Sequence, residues 1–415
     1  MNKNITITGI DIGTTKIAVI IGEKKDGAIN IIGFGKTSSS GLSKGVVVDI
    51  DKTISSISKA IKQAEIQAGI EIETAYIGLT GEHIKGINCS GAITISSNDY
   101  RNPAGEQIDQ KDIEKVLEHS QAINLSPDRK ILHVLSREFK VDEKNGILNP
   151  IGLSGHRLEA NVHLVTIARN IEKDLKTCIE QCGVDIEGFI LEPLASSSSV
   201  LDENEKKLGS ILIDIGGGTS DIIIYHNNAI IHTGAIPFGG ENISKDIAYG
   251  LQTSLEQAEI LKCKYGIAKT SLADDQNKIK ILGTNGRGDK EISEKDLAEI
   301  IEPRLIEIFT LALEEINKSE SKGEFTFGTI LTGGGASLRD ISEVAKDIFN
   351  MPVKIGIPDS VNGKIDIINN PRFATTIGII KYAIDNQKNI NEQINFNKEK
   401  NIFSLLKNKL KKLLT

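Results

Sequence analysis

Two short stretches of this chain carry the residue types that can hold a phosphate. From Ile211 to Tyr225 it reads Ile-Leu-Ile-Asp-Ile-Gly-Gly-Gly-Thr-Ser-Asp-Ile-Ile-Ile-Tyr, two β-branched runs around a glycine cluster with an aspartate on each side. The runs predict two strands and the glycines the turn between them. Without Cβ atoms such a turn can bend sharply and present successive N–H groups to an anion. Asp214, at the end of a buried strand, then suits a divalent cation that bridges carboxylate and phosphate through water. A plain hairpin is the alternative, but it needs one or two glycines rather than three beside a buried carboxylate. The pattern returns near the N-terminus as Ile10-Asp11-Ile12-Gly13-Thr14-Thr15-Lys16, followed by an apolar run over 17–21.

The elements that must position these loops repeat as well. After each copy the pattern predicts a third strand, over 28–35 and 229–234, and then a helix, over 52–68 and 242–251. An internal echo of this kind means two related halves. Two phosphate loops facing each other across a cleft would clamp a nucleotide from both sides.

Composition bounds the rest. At 415 residues the chain is too long for one core. Its 39% hydrophobic and 25% charged residues are those of a soluble globular protein. A net charge of -7 argues against a nucleic-acid partner. The four cysteines, Cys89, Cys178, Cys182 and Cys263, form no Cys-x-x-Cys pair. Cys178 and Cys182, one helical turn apart, read as core residues of a reducing cytoplasm rather than a metal pair. No secretory leader and no run of membrane-spanning length is expected.

Between His83 and His163 the texture changes to short strands, glycine-bearing loops and one acidic helix near 112–121, which predicts an inserted subdomain. The stretch Gly152-Leu153-Ser154-Gly155 lacks the Gly-x-Ser-x-Gly spacing of a hydrolase and reads as a turn. The α/β texture returns at 162–168, with a helix over 172–182. Then Glu192-Pro193-Leu194-Ala195-Ser196-Ser197-Ser198-Ser199-Val200 passes from a strand into a small-residue helix of the kind a hinge requires. Glu192 either faces the cleft or caps that helix. Phe238-Gly239-Gly240-Glu241 opens a helical region reaching residue 265, where Glu259 and Lys262 stand at the spacing of a surface ion pair. A polar stretch over 268–293 and a helix over 294–316 complete a second insertion. Thr332-Gly333-Gly334-Gly335 is a further strand-end turn, flat enough for a base or ribose. Residues 373–380 form a second small-residue helix that can pack on the first.

This order of parts resembles the actin, Hsp70 and sugar-kinase superfamily over residues 5–384. No P-loop sequence occurs. Within the superfamily, Ile131-Leu132-His133-Val134, the run from Asn149-Pro150 to Glu159-Ala160, and Ala258-Glu259-Ile260-Leu261-Lys262 are similar to the bacterial cell-division FtsA family. The resemblance implies an α/β, actin-like (ribonuclease H-like) fold: one half over 1–84 and 165–200 with an insertion over 85–164, the other over 201–238 and 322–384 with an insertion over 239–321. It also implies ATP and Mg²⁺. The backbones of Gly13, Thr14, Thr15 and Lys16, and of Gly216, Gly217, Gly218 and Thr219, would hold phosphates, with Lys16 neutralising charge. Asp11 and Asp214 would position a hydrated Mg²⁺. Gly239 and Gly240 join the nucleotide set, and Gly334, Gly335, Glu259 and Lys262 would enclose the adenosine. Glu192 is the candidate to orient an attacking water, with slow turnover in the service of assembly.

Residues 385–401 are rich in Asn, Gln and Lys, which predicts a flexible tether. In 402–415, Ile402, Phe403, Leu406, Leu410, Leu413 and Leu414 share one side of a helix, edged by Lys407 and Lys409, with Lys411 and Lys412 beyond. This is the pattern of a helix lying in an anionic membrane interface; the alternative is a helix docked on the protein's own body. Six partly buried side chains and the lysines, at about 1 kcal/mol each, leave modest affinity after ordering. One tail binds reversibly and an assembly binds firmly. The family resemblance accordingly implies a polymer of this chain, peripheral on the cytoplasmic side of the inner membrane at the septum. It would hold the C-terminal peptide of FtsZ and recruit later division proteins. Lys295 and Arg304 suit that acidic peptide, or are ordinary solvated charges. The alternatives in the same fold are a small-molecule kinase, a pilus-assembly ATPase and an Hsp70-like chaperone.

Overall fold

A computed structural model describes residues 5–95, 105–281, 288–319, 325–359, 361–363 and 365–386. Its first half is a mixed sheet. Ile5–Ile12, Lys16–Lys25 and Ala28–Ser38 run antiparallel in succession, while Thr74–Leu79 and then Asp185–Leu191 add in parallel on the other side of Ile5–Ile12. The second half repeats this order. Ser210–Ile215, Ser220–His226 and Ala229–Ile236 are antiparallel, and Thr329–Thr332 and Val353–Ile355 add in parallel. Strands buried on both faces read as unbroken apolar runs. Ile17, Ala18, Val19, Ile20 and Ile21 accordingly have no exposed surface.

Alternate residues of that run serve different layers. Ile17, Val19 and Ile21 pack with Ile57, Ala60 and Ala64 of the helix Ile50–Ala68, whose start is capped by Asp49. Ile20 packs with Ile377, Ile380 and Ala383 of the helix spanning 374–386. The two small-residue helices are exchanged between the halves. Glu192–Val200 buries Leu194 and Val200 with Leu212 and Ile223 of the second sheet, whereas 374–386 lies on the first. They are joined where Ser199 Oγ donates to the Ala374 carbonyl at 2.7 Å.

The first insertion differs from the short strands expected of it. Lys85–Thr94, Arg129–Val141 and Arg157–Ala168 have 10, 13 and 12 residues and form one antiparallel sheet with Lys144–Ile147. Gly86 and Gly91 sit inside a strand because other groups press on them. A Cβ on Gly91 would lie 2.4 Å from the amide nitrogen of Ser120, at the end of the helix Gln110–Ser120. Glycine there marks close approach rather than a loop. Residues 162–168, expected to resume the α/β half, are the far end of Arg157–Ala168, so the boundary drawn at 164/165 falls inside a strand.

The second insertion holds the helix expected over 242–251, as Gly240–Leu251, and a second helix, Leu255–Tyr265, in the helical region reaching residue 265; Gln252 in the left-handed region ends the first and Ser254 caps the second. The strands Lys278–Ile281 and Lys290–Ser293 and the helix Glu294–Asn317 follow. Among the described residues no helix is long and apolar enough to cross a membrane. The expected tail helix over 402–415, and the tether from residue 387 on, lie outside the described residues.

Candidate functional site

The two Asp-Gly loops are the same structure twice. Gly13 N–H donates to the Lys16 carbonyl at 3.0 Å, and Gly216 N–H to the Thr219 carbonyl at 2.9 Å. Their tips meet. A Cβ on Gly217 would lie 2.4 Å from Thr15 Cγ2, and one on Gly218 would lie 2.7 Å from Thr14 Oγ1. The carbonyls of Gly216 and Gly217 accept the N–H groups of Gly240 and Glu241 at 2.9 and 2.8 Å. With those carbonyls engaged and the Gly216 N–H used within the turn, the N–H groups of Gly217 and Gly218 are left for an anion. Both loops line a cleft of about 790 Å³, together with Gly240, Glu259, Lys262, Gly334 and Gly335. Gly239 is not on that lining. It stands behind the loop, where a Cβ would meet the Gly216 and Gly217 carbonyls at 2.7 Å.

Four carboxylates meet at this cleft. Asp11 pairs with Lys16 Nζ at 3.0 Å and accepts from Thr376 at 2.8 Å. Asp214 accepts from Ser196 and Thr375, one hydroxyl from each hinge helix. Asp221 accepts from Thr80. Glu192 lines the cleft and stands in the first turn of Glu192–Val200, where it makes no cap hydrogen bond. Its Oε1 is buried with no partner among the described residues.

Burial, then the neighbouring Asp11, Asp221 and Asp214, push the Glu192 carboxyl well above the usual range. Burial also raises Asp214, and it raises Asp221 to about 7 against the hydrogen bond from Thr80. So much uncompensated carboxylate in one place suits a divalent cation. No three ligating side chains among the described residues converge on a bare ion. Asp11 and Asp214 would hold such an ion through its water shell.

The opposite wall is tied together by Lys262. Its Nζ contacts Glu259 at 2.7 Å, the Gly240 carbonyl at 2.8 Å and Ser244 Oγ at 2.9 Å. What reads in sequence as a surface pair thus joins two helices at the cleft. The third glycine turn closes over Asp214. Gly333 has φ +85°, and a Cβ there would lie 2.2 Å from Asp214 Oδ1. Lys295 and Arg304 are not brought together. Nine residues along one helix turn them half a revolution apart, about 14 Å along the axis. Lys295 is exposed, while Arg304 is bound to Asp246 and Glu307 and lies 5.8 Å from the Phe238 ring.

Sequence reasoning left Asp221, Thr80, Ser196, Thr375 and Thr376 out of the site. The register held a signal for one of them, since Asp214 and Asp221 are direct cross-strand partners in the hairpin that carries the loop.

Comparison with known proteins gives the arrangement its context. The family model described as "Cell division protein FtsA" matches residues 211–378, and the one described as "SHS2 domain inserted in FTSA" matches residues 81–166. The chain is 41% identical over 382 residues to the cell division protein FtsA of Pseudomonas aeruginosa, covering 92% of this chain and 90% of that one. Among solved structures it is similar to a PilM–PilN type IV pilus biogenesis complex, with TM-score 0.63 and 14% identity over 90% of this chain and 97% of that one. MreB 5 of Spiroplasma citri bound to AMPPNP aligns with TM-score 0.56 and 14% identity over 94% and 98%. These two likenesses support an actin-like fold.

Proposed function

The chain belongs to the FtsA family of cell division proteins, and on that premise we propose that it binds ATP in the cleft, assembles with its own kind on a membrane and holds FtsZ filaments there. One observation supports the nucleotide reading above others: two copies of one phosphate-loop structure meet tip to tip, with an aspartate at the root of each. Phosphates lie against the amide edges of Gly13–Lys16 and Gly216–Thr219, with the Lys16 ammonium beside them. The adenosine lies between Glu259, Lys262 and the Gly334–Gly335 turn.

Asp11 and Asp214 would hold Mg²⁺ through its water shell. When bound, the ion supplies positive charge to the phosphates and lets neighbouring carboxyls ionise. Glu192, freed of its proton, orients the attacking water and accepts its proton at Oε1. Asp11 and Asp214 are hydrogen-bonded to Thr376 and to Ser196 and Thr375 of the hinge helices. Occupancy of the cleft is in this way felt at the joint between the halves, which couples nucleotide state to assembly.

The tail over 402–415 lies in an anionic membrane face on the cytoplasmic side, and assembly multiplies its weak affinity. An acidic stretch of the FtsZ peptide docks on the exposed face of Glu294–Asn317 that carries Lys295; Arg304, half a revolution round that helix and paired with Asp246 and Glu307, contributes only by exchanging a carboxylate partner.

The test uses the full chain and a version ending at Asn401, with anionic vesicles and ATP. Expected are ATP retention by both, vesicle sedimentation by the full chain alone, and FtsZ filaments carried down with it. Sedimentation of both versions alike would remove the tail from the mechanism. An unchanged affinity for the FtsZ tail peptide in a Lys295→Ala, Arg304→Ala double variant would remove the peptide site.

A further inference from the structure

Two cations of the cleft have no part in the reading above. Lys36, near the end of Ala28–Ser38, and Arg372, in the single turn Pro371–Phe373 that leads into the second hinge helix, both line it. Neither forms an ion pair with a carboxylate among the described residues. Lys36 shares one ring with Lys16. Lys16 Nζ lies 5.0 Å and Lys36 Nζ 5.9 Å from the centre of Phe373, and Lys16 Nζ donates to the Arg372 carbonyl at 2.9 Å.

The sheet register dictates this crowding. Lys16 stands opposite Ser38 and Ala18 opposite Lys36, so the two lysines are diagonal neighbours on one face. Like charges so placed repel, and Asp11 answers only Lys16. Arg372 extends the cluster toward the third turn, with its Nε 3.9 Å from where a Cβ on Gly334 would stand. Although Lys36 is an exposed residue, partial burial of its ammonium, and then Arg372 and Lys16, hold it below the usual lysine range. In a chain of net charge -7, three positive heads with one carboxylate among them mark a place kept for an anion.

We propose that Lys36 and Arg372 extend the first glycine loop beyond Lys16 into a further phosphate seat, which takes the phosphate nearest the ribose of the bound nucleotide. The seat lies between the first loop and the turn assigned to the nucleoside, where that phosphate must pass. The inference rests on the nucleotide reading, and it makes the cleft selective for nucleoside phosphates over the nucleoside.

Calorimetric titration of the full chain with ATP, ADP, adenosine and inorganic tripolyphosphate tests it, in wild type, Lys36→Ala, Lys36→Gln, Arg372→Ala and Arg372→Gln. Each variant should bind ATP, ADP and tripolyphosphate about ten- to a hundredfold more weakly, the loss of one charge-assisted hydrogen bond. Adenosine binding and the thermal transition should stay unchanged. Wild-type ATP affinity in all four variants overturns the seat and leaves the nucleotide reading standing. If wild type refuses nucleotides yet binds tripolyphosphate through Lys36 and Arg372, the nucleotide reading falls and an anion seat remains. Binding of neither removes both.

Discussion

The carbonyl oxygen of Ala195 lies 1.9 Å from the point a Cβ on Gly378 would occupy, so the two hinge helices cross backbone against backbone. Nothing at that point can rotate away, because the obstacle is main chain. Gly378→Ala must therefore push the helices apart, at a cost of about 1–3 kcal/mol for overpacking. Thermal unfolding should shift down, and ATP affinity should fall with it, since Ser196 and Thr375 on the displaced helices hold Asp214. A variant with wild-type melting and wild-type affinity would mean that the crossing tolerates a wider spacing.

What the sequence revealed and what it hid follow from the range of the interactions. The glycine loops and the β-branched runs are local patterns, and both halves with their repeated strand order could be inferred from them. The small residues around Ala195 and Gly378 also spoke, because close packing needs small side chains wherever the partner lies. The strands of the first insertion did not speak. Gly91 resembles a loop residue until Ser120 is seen against it, and that contact is 29 residues away. Thr80 reaches Asp221 across 141 residues and Thr376 reaches Asp11 across 365, which no window on the chain can show. The Glu259–Lys262 pair could be read from its spacing, but the further bonds of Lys262 to Gly240 and Ser244 could not, because those residues belong to another helix.

Asp221 should make stability depend on pH. Its folded-state pKa of about 7 lies above the ordinary 3.8, so the folded state holds the proton more tightly than the unfolded chain. The resulting stability is complete below pH 3.8 and is lost as pH rises toward 7. Three units correspond to at most about 4 kcal/mol. In chelator, Asp221→Asn should be more stable than wild type at pH 8 by up to that amount, with the gain vanishing near pH 4. Urea denaturation at pH 4, 6 and 8 measures it; a gain independent of pH would place the cause elsewhere.

Glu192→Gln separates binding from turnover. The amide keeps the shape and removes a carboxyl whose pKa burial and three aspartates push well above the usual range. ATP affinity should hold or improve, whereas phosphate release should drop about a hundredfold or more, the usual effect of losing a general base. Unaltered release in single-turnover measurements would exclude Glu192 from the water-orienting role.

His133 ties the first insertion to the hinge, and its removal should be felt there. Its Nε2 accepts the N–H of Leu191 at 3.1 Å, immediately before Glu192, and its ring meets Tyr382 of the second hinge helix edge-on at 6.3 Å. Burial lowers its pKa to about 4, so the ring is neutral and able to accept at neutral pH. Because that value lies below the ordinary 6.5, this contribution to stability is present above pH 6.5 and is lost as pH falls through 4. His133→Phe keeps an aromatic ring but strands the Leu191 N–H, at a cost of about 1–3 kcal/mol at pH 7. The difference from wild type should shrink toward pH 4, where wild type loses the same bond by protonation; His163 and His83 titrate alike in both proteins and cancel. Because the stranded amide adjoins Glu192, phosphate release should slow together with the loss of stability. A stability gap that stays constant from pH 7 to pH 4 would show that the ring acts by filling space and not by accepting that hydrogen bond.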